Sequence, residues 1–225
     1  MEFQLNEIYN IDALAAMEEM PAKSIPIILT SPPFRDKDIQ GDYWTWYDRF
    51  MKCVDKVCSE YAFVFNSSTR LNEIVIRYKV GLGSEDGRIP PFRILCWVKG
   101  IIERPGGRYG YGMAVQYSYR WQPIFIYRFT EQWNINGKIW SDVLPYAPLL
   151  EGDPEKLHPY QDPLKLYRHL VKYVPKDKLI LDPFMGSGTT AVACKDLGHP
   201  FLGFEINPDI YRIAKMRLNN TLDSV

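Results

Sequence analysis

The sequence predicts an α/β protein built on a mostly parallel sheet. Two observations carry that prediction. Short β-rich runs alternate with helical patterns along the chain, and one run, residues 179–181, passes through a glycine-rich turn straight into a helix. With 225 residues the chain has room for a sizeable core in one large domain, or in one domain with a small appendage, and not for a third full domain. Its 46% hydrophobic and 24% charged residues exclude collagen-like, coiled-coil and largely disordered readings.

Rich in Ile, Val, Leu, Tyr and Phe, seven runs read as strands: 7–11, 25–30, 61–66, 92–98, 122–128, 179–181 and 201–205. Between them, apolar residues at helical spacing predict helices over 13–20, 43–58, 71–78, 164–173, 189–197 and 208–218. No internal repeat or low-complexity segment interrupts this order. The gap between the fifth and sixth strands is long and rich in Trp, Asn, Pro and Gly, and it reads as irregular.

No stretch approaches the ~18 consecutive apolar residues of a membrane span, and Met1-Glu2-Phe3-Gln4 lacks the basic-then-apolar order of a secretion signal. A cytoplasmic protein with no membrane partner is expected. Cys53, Cys58, Cys96 and Cys194 form neither a CxxC pair nor a zinc pattern, so they read as reduced, mostly buried thiols with no metal. Net charge is zero, but residues 88–130 carry +6 against −5 before them and −1 after. That basic segment is interleaved with Tyr109, Tyr111, Tyr117, Tyr119 and Trp121, a pattern suited to phosphates and bases and equally open to a solvated Arg-rich loop.

Two segments carry chemistry. The later, Asp182-Pro183-Phe184-Met185-Gly186-Ser187-Gly188-Thr189-Thr190, follows a strand and opens a helix. Its glycines let a ligand approach the backbone, and the helix start offers unpaired N–H groups. Glu205 lies 19 positions after Gly186, at the end of the next strand, where a carboxylate can accept from ribose hydroxyls. No Lys follows the glycines, which excludes a phosphate-loop NTPase, while a dinucleotide such as NAD stays open on this segment alone. The earlier segment, Thr30-Ser31-Pro32-Pro33-Phe34, ends an apolar strand. Two prolines fix the chain's exit and donate no N–H, leaving the Ser31 hydroxyl and Pro32 carbonyl to accept from an amino group. Phe34 offers a face for a planar base.

In this order the two segments resemble the amino-methylating DNA methyltransferases, in the permuted β-group arrangement where the catalytic turn precedes the cofactor turn. The similarity spans nearly the whole chain. Asn10-Ile11-Asp12-Ala13-Leu14 resembles the family's segment whose carboxylate reaches the cofactor adenine, although Asp12 also suits a helix cap. Phe204-Glu205-Ile206-Asn207-Pro208 is similar to its ribose-binding turn, and His158-Pro159-Tyr160-Gln161-Asp162-Pro163 to the segment before its cofactor-flanking helix. At the position of Asp162 the family commonly has Lys.

The resemblance implies a Rossmann-like seven-stranded sheet, mostly parallel with one antiparallel strand, forming a single domain over 1–225. It implies S-adenosylmethionine without metal, held by Asp12, Asp182, Pro183, Phe184, Gly186, Ser187, Gly188, Thr189 and Glu205. Catalysis falls to Ser31, Pro32, Pro33 and Phe34, acting on a base flipped out of double-stranded DNA. Ser-Pro-Pro-aromatic turns go mainly with cytosine N4 in that family, and Asp- or Asn-Pro-Pro-Tyr turns with adenine N6, so cytosine is favoured. Arg104 and Arg108 are the expected DNA contacts, and target recognition is expected within 99–120 and 131–157. So compact a recognition region suits a short target and admits a homodimer around the duplex. The aromatic run from Tyr43 to Tyr47 reads as a helix face packed into the core. An RNA or protein methyltransferase, an NAD-dependent oxidoreductase and an inactive binding module are the alternatives.

Overall fold

A computed structural model describes residues 2–34, 39, 41–78, 93–99, 121–131 and 141–220. The strands are β1 (Glu7–Tyr9), β2 (Ile25–Thr30), β3 (Cys58–Phe65), β4 (Arg93–Val98), β5 (Trp121–Arg128), β6 (Val143–Pro145), β7 (Ile180–Asp182) and β8 (Phe201–Phe204). They pair as one sheet in the order β1-β8-β7-β2-β3-β5-β4-β6. Among the described strands β5 alone runs against its neighbours, between β3 and β4. The described helices are α1 (Ala13–Glu19), α2 (Tyr43–Val57), α3 (Leu71–Arg77), α4 (Leu164–Val171), α5 (Thr189–Leu197) and α6 (Pro208–Asn220).

Among the described residues the sheet has eight strands, one more than expected. The extra strand, β6, lies in the stretch read as irregular and pairs with the outer edge of β4. Its three residues bury only Leu144, so no periodic signal marks them, and tertiary pairing with Cys96 to Val98 makes the strand. The basic segment carrying Arg104 and Arg108 lies outside the described residues, as does most of the run from 99 to 120.

Both faces of the sheet are covered, which is why β2 reads as a nearly continuous apolar run. Ile27 and Leu29 face a core shared with Leu166, Leu170, Ala191 and Ala214 of α4, α5 and α6. Ile28 faces the opposite core, with Leu14, Met17, Phe50, Val54 and Ile74 of α1, α2 and α3. Cys53, Cys58 and Cys194 are buried as expected, with Cys96 half-buried. Among the described residues no helix is long and apolar enough to cross a membrane.

The order of strands reverses at β7 and β2. From β7 the chain crosses to β8 on one side, and from β2 it crosses to β3 on the other, leaving a crevice at their carboxyl ends. One buried hydrogen-bond set pins the two strand ends together. Thr30 Oγ1 donates to Asp182 Oδ1 at 2.7 Å, the Phe184 N–H donates to the same oxygen at 3.0 Å, and Thr190 Oγ1 donates to Oδ2. Burial pushes the Asp182 carboxyl up to about 6, against the pull of its two threonine donors and the Phe184 N–H.

That balance yields two expected outcomes. Thr30→Val removes a donor from a buried carboxylate and should destabilise the fold by about 1.5–3 kcal/mol where Asp182 is ionised. Because Asp182 is protonated below about pH 6, the loss should be greater at about pH 8 than at about pH 5 in denaturant titrations. Gly188 has φ +86°, and a Cβ there would meet the Ala214 backbone and side chain at 3.1 Å. Gly188→Ala should therefore cost about 1–3 kcal/mol, seen as a lower melting temperature.

Candidate active site

The turn after β7 is the first wall of the crevice. Gly186 and Gly188 have φ of +54° and +86°, in the left-handed region. A Cβ at Gly186 would meet nothing nearer than the Phe184 carbonyl at 3.9 Å, so its bare backbone faces open space. Gly188 is the N-cap of α5 and provides no side-chain cap, leaving the first-turn N–H groups to a ligand or water.

Glu205, just past β8, is tied into this wall. Its carboxylate accepts from the Gly186 N–H at 2.9 Å and the Asn207 N–H at 2.8 Å. Burial raises its pKa, and these backbone donors oppose the rise. From the sequence Glu205 reads only as a ribose acceptor; the geometry adds a second role, holding the glycine turn in shape.

Asn10 fixes the next strand end from the other side, its amide donating to the carbonyls of Glu205 and Ile206 at 2.7 and 3.0 Å. Asp12 is exposed and caps α1, accepting from the Ala15 N–H at 2.8 Å.

Ser187 and Thr189 are buried with their hydroxyls turned towards Arg217 of α6. The Arg217 Nη1 donates to the Ser187 carbonyl at 2.6 Å, to Ser187 Oγ at 3.0 Å and to Thr189 Oγ1 at 3.2 Å. Their backbone N–H groups are what they can offer a ligand. Arg217 lies 30 positions from Ser187, and no motif in the sequence marks it.

Phe184 joins the turn to α2. Its ring packs on Trp46 at 5.5 Å and on Phe50 at 5.2 Å. Tyr43 and Tyr47 are buried, in keeping with a core-facing aromatic run. Trp46 is half-buried against the glycine turn, a contact that helical periodicity cannot reveal.

The Ser31-Pro32-Pro33-Phe34 turn forms the second wall, directly after Thr30. Pro32 is buried, while Ser31, Pro33 and Phe34 are half-buried. Arg70 clamps the turn: its Nε donates to the Phe34 carbonyl at 3.0 Å, and its guanidinium lies 3.9 Å from the Tyr43 ring centroid. Phe34 packs at the margin of the core.

The loop before α4 meets the start of α5, Thr189 Oγ1 donating to the Asp162 carbonyl at 3.4 Å. His158 shapes it, accepting at Nδ1 from the Tyr160 N–H at 3.3 Å. Asp162 accepts from Tyr167 Oη at 3.0 Å; burial pushes its carboxyl up to about 6, and Tyr167, the charge of Lys99 and the nearby Ser31 oppose that rise. The Tyr167 ring stacks on Phe65 at 5.3 Å, which holds that hydroxyl in place.

The fold thus brings Ser31 to Phe34, Asp182 to Thr189 and Glu205 to the carboxyl ends of neighbouring strands, with Asp12 after β1 at the start of α1. Arg104 and Arg108 lie outside the described residues. Among the described residues no three His, Cys, Asp or Glu side chains gather as a metal site.

A family model described as DNA methylase, for N6 and N4 methyltransferases, matches residues 25–216. The chain is 26% identical to the Type II methyltransferase M.ScaI of Streptomyces caespitosus, over 97% of its own length and 83% of that protein's. It is 48% identical to Type II methyltransferase M.HindIII of Haemophilus influenzae over 38% of this chain and 31% of that one. Among solved structures it resembles PvuII DNA methyltransferase (cytosine-N4-specific), with a TM-score of 0.74, 20% identity and coverage of 94% and 85%. The M1.HpyAVI–SAM complex gives a TM-score of 0.66, 24% identity and coverage of 94% and 99%. With 192 of its residues inside the matched family model, the chain belongs to the N6/N4 DNA methylase family.

Proposed function

We propose that this chain is a Type II DNA methyltransferase that moves a methyl group from S-adenosylmethionine to N4 of a cytosine flipped out of double-stranded DNA. The carrying observation is the shared edge of the two turns, the glycine turn after β7 and the Ser-Pro-Pro-Phe turn after β2, pinned by Thr30 and Asp182 at 2.7 Å. A cofactor on one turn and a base on the other then meet across neighbouring strand ends.

The residues suit S-adenosylmethionine. Gly186 and the uncapped start of α5 form a bare backbone cradle, and Glu205 keeps lone pairs for ribose hydroxyls beyond those used by two backbone N–H groups. The half-buried Phe184 and Trp46 supply aromatic faces for an adenine. When bound, the cofactor supplies a sulfonium methyl, already a strong electrophile.

The protein's task is to orient the amine. An exocyclic amine is a poor nucleophile because its lone pair is delocalised into the ring. Ser31 Oγ and the Pro32 carbonyl accept its two N–H bonds, pull the nitrogen towards tetrahedral geometry and aim the lone pair at the methyl. Alignment of this kind supplies up to about 7–11 kcal/mol. Phe34 stacks on the extruded base and offsets part of the few kcal/mol that flipping costs. Ser31 at the head of the Pro-Pro turn, where Asp or Asn heads the turn of most adenine enzymes, is the feature that favours cytosine. The same machinery would serve adenine N6.

Target recognition falls to residues 99–120, including Arg104 and Arg108, and to residues 131–157, within a single domain over 1–225. A homodimer would let so small a reader embrace the duplex, and an enzyme acting on cellular DNA would work in the cytoplasm.

Incubating the protein with S-adenosylmethionine and unmethylated genomic DNA, digesting to nucleosides and weighing the products by mass spectrometry should reveal N4-methylcytosine. N6-methyladenine would replace the base while keeping the mechanism, and product on RNA alone would overturn DNA as substrate. Ser31→Ala should cut turnover by on the order of 10²-fold at unchanged cofactor affinity. Glu205→Ala should weaken cofactor binding by on the order of tenfold, measured by calorimetry, with a smaller effect on saturated turnover.

A further inference from the structure

The stiffness of the Ser-Pro-Pro-Phe turn stops one residue short of where it is needed. Pro32 and Pro33 have fixed φ, but Phe34, whose ring is to lie against the target base, stands past the last proline. A group outside the turn has to set its direction.

Arg70 makes that contact. It ends a single helical turn, Ser68–Arg70, that shortly follows β3, the parallel neighbour of β2. The start of this turn is fixed by Asn66, which is fully buried. Asn66 accepts from Tyr47 Oη of α2 at 2.8 Å, and its backbone N–H donates to the Pro123 carbonyl at 2.9 Å. From this support the Arg70 Nε donates to the Phe34 carbonyl at 3.0 Å. The guanidinium lies 3.9 Å from the Tyr43 ring centroid and 5.6 Å from that of Trp44, with Glu73 of α3 at 3.7 Å. A planar cation can rest its face on an aromatic ring while its edge donates a hydrogen bond; the point charge of a lysine cannot do both.

The aromatic run from Tyr43 to Tyr47 therefore does more than fill the core. Tyr43 seats Arg70, and Trp46, three positions on, packs on Phe184 of the glycine turn at 5.5 Å. One turn of α2 meets the cofactor wall directly and the catalytic wall through Arg70. Thr30 and Asp182 join the two strand ends; α2 and Arg70 tie the two turns a second time, further along each.

We propose that Arg70 is a positioning residue for methyl transfer: seated on Tyr43, it sets Phe34, and with it the target base, against the glycine turn that α2 meets through Trp46. The assignment rests on the reading of Phe34 as the platform for the extruded base. Arg70 touches no reacting atom in this scheme and contributes alignment alone, where a displacement of about 1 Å costs up to about 10²-fold in rate.

The test is single-turnover methyl transfer at saturating S-adenosylmethionine, on DNA carrying whichever base the wild type marks, with cofactor affinity and melting temperature measured on the same preparations. Arg70→Met, which keeps an apolar stem, should lower the rate by about 10–10²-fold and leave cofactor affinity unchanged. Arg70→Lys should stay close to Arg70→Met, and Tyr43→Leu, which removes the seat and keeps the arginine, should show the same loss. Methylguanidinium should restore part of the rate of Arg70→Ala and none once Tyr43→Leu is added. Arg77→Met removes a different cation held by α2, paired with Asp48 at 2.6 Å and 5.3 Å from the Trp44 ring; it should lower the melting temperature and leave the rate unchanged. An Arg70→Met enzyme with the wild-type rate, or one that loses cofactor affinity alone, overturns the assignment. So does an equal rate loss in Arg77→Met, which would make the effect one of general packing, and so does full activity in Arg70→Lys, which would make charge sufficient without the ring seat. A wild type that methylates no DNA overturns the proposed function, and this assignment with it, before any variant is compared.

Discussion

The crevice exists because a buried carboxylate joins two strands that the chain visits 152 positions apart. Asp182 ends β7 and Thr30 ends β2, and each is at most 2% exposed. The bond between them sets how far apart the two turns stand. Its cost is visible in the raised carboxyl, since burial outweighs the three donors that surround it. A carboxyl raised in the folded state contributes stability below its unfolded value and loses it as pH rises towards about 6. At neutral pH the protein therefore carries Asp182 at a net cost, kept because the charge anchors both turns.

From that anchor the two walls are built by different means. The glycine turn is held at three points by partners from elsewhere in the chain: Glu205 on the Gly186 N–H, Arg217 on Ser187 and Thr189, and Trp46 with Phe50 on Phe184. Left-handed glycines cannot hold such a shape by local preference alone, because glycine gains no steric restriction from a side chain. The Ser-Pro-Pro-Phe turn is stiff by itself, with φ fixed at two residues. Arg70 adds a clamp on the Phe34 carbonyl.

Local chemistry made much of this legible in the sequence. The run Thr189 to Leu197 forms the expected helix end to end, since a glycine turn before and an apolar pattern within it are both local signals. β2 and its proline exit were equally plain. β6 was not, because three residues with a single buried side chain have no period to read. Arg217, Arg70 and Trp46 also escaped, each serving the site across a helix packing whose register the sequence does not spell out. Glu205 was legible as a carboxylate at a strand end, but its bond to Gly186 depends on the parallel pairing of β7 with β8. Asp162 stood out as a departure from the resembling family, and only the folded loop gives it Ser31 and Tyr167 as neighbours.

Asp162 and Asp182 share an electrostatic predicament that bears on what the crevice can hold. Both carboxyls are pushed up to about 6 by burial, and both are met chiefly by hydroxyl and amide donors. The facing cation, Lys99, is itself drawn down by burial. Two partly compensated negative charges at the floor of one crevice disfavour an anionic ligand and favour a cationic one, whose charge would ease the desolvation cost that each carboxylate bears. Nicotinamide dinucleotides bring a pyrophosphate into such a crevice; a sulfonium brings a positive charge and no phosphate. The glycine turn that on sequence alone admits either ligand stands, once folded, near Asp182 and Asp162, two carboxyls beside which a pyrophosphate adds negative charge and a sulfonium offsets it.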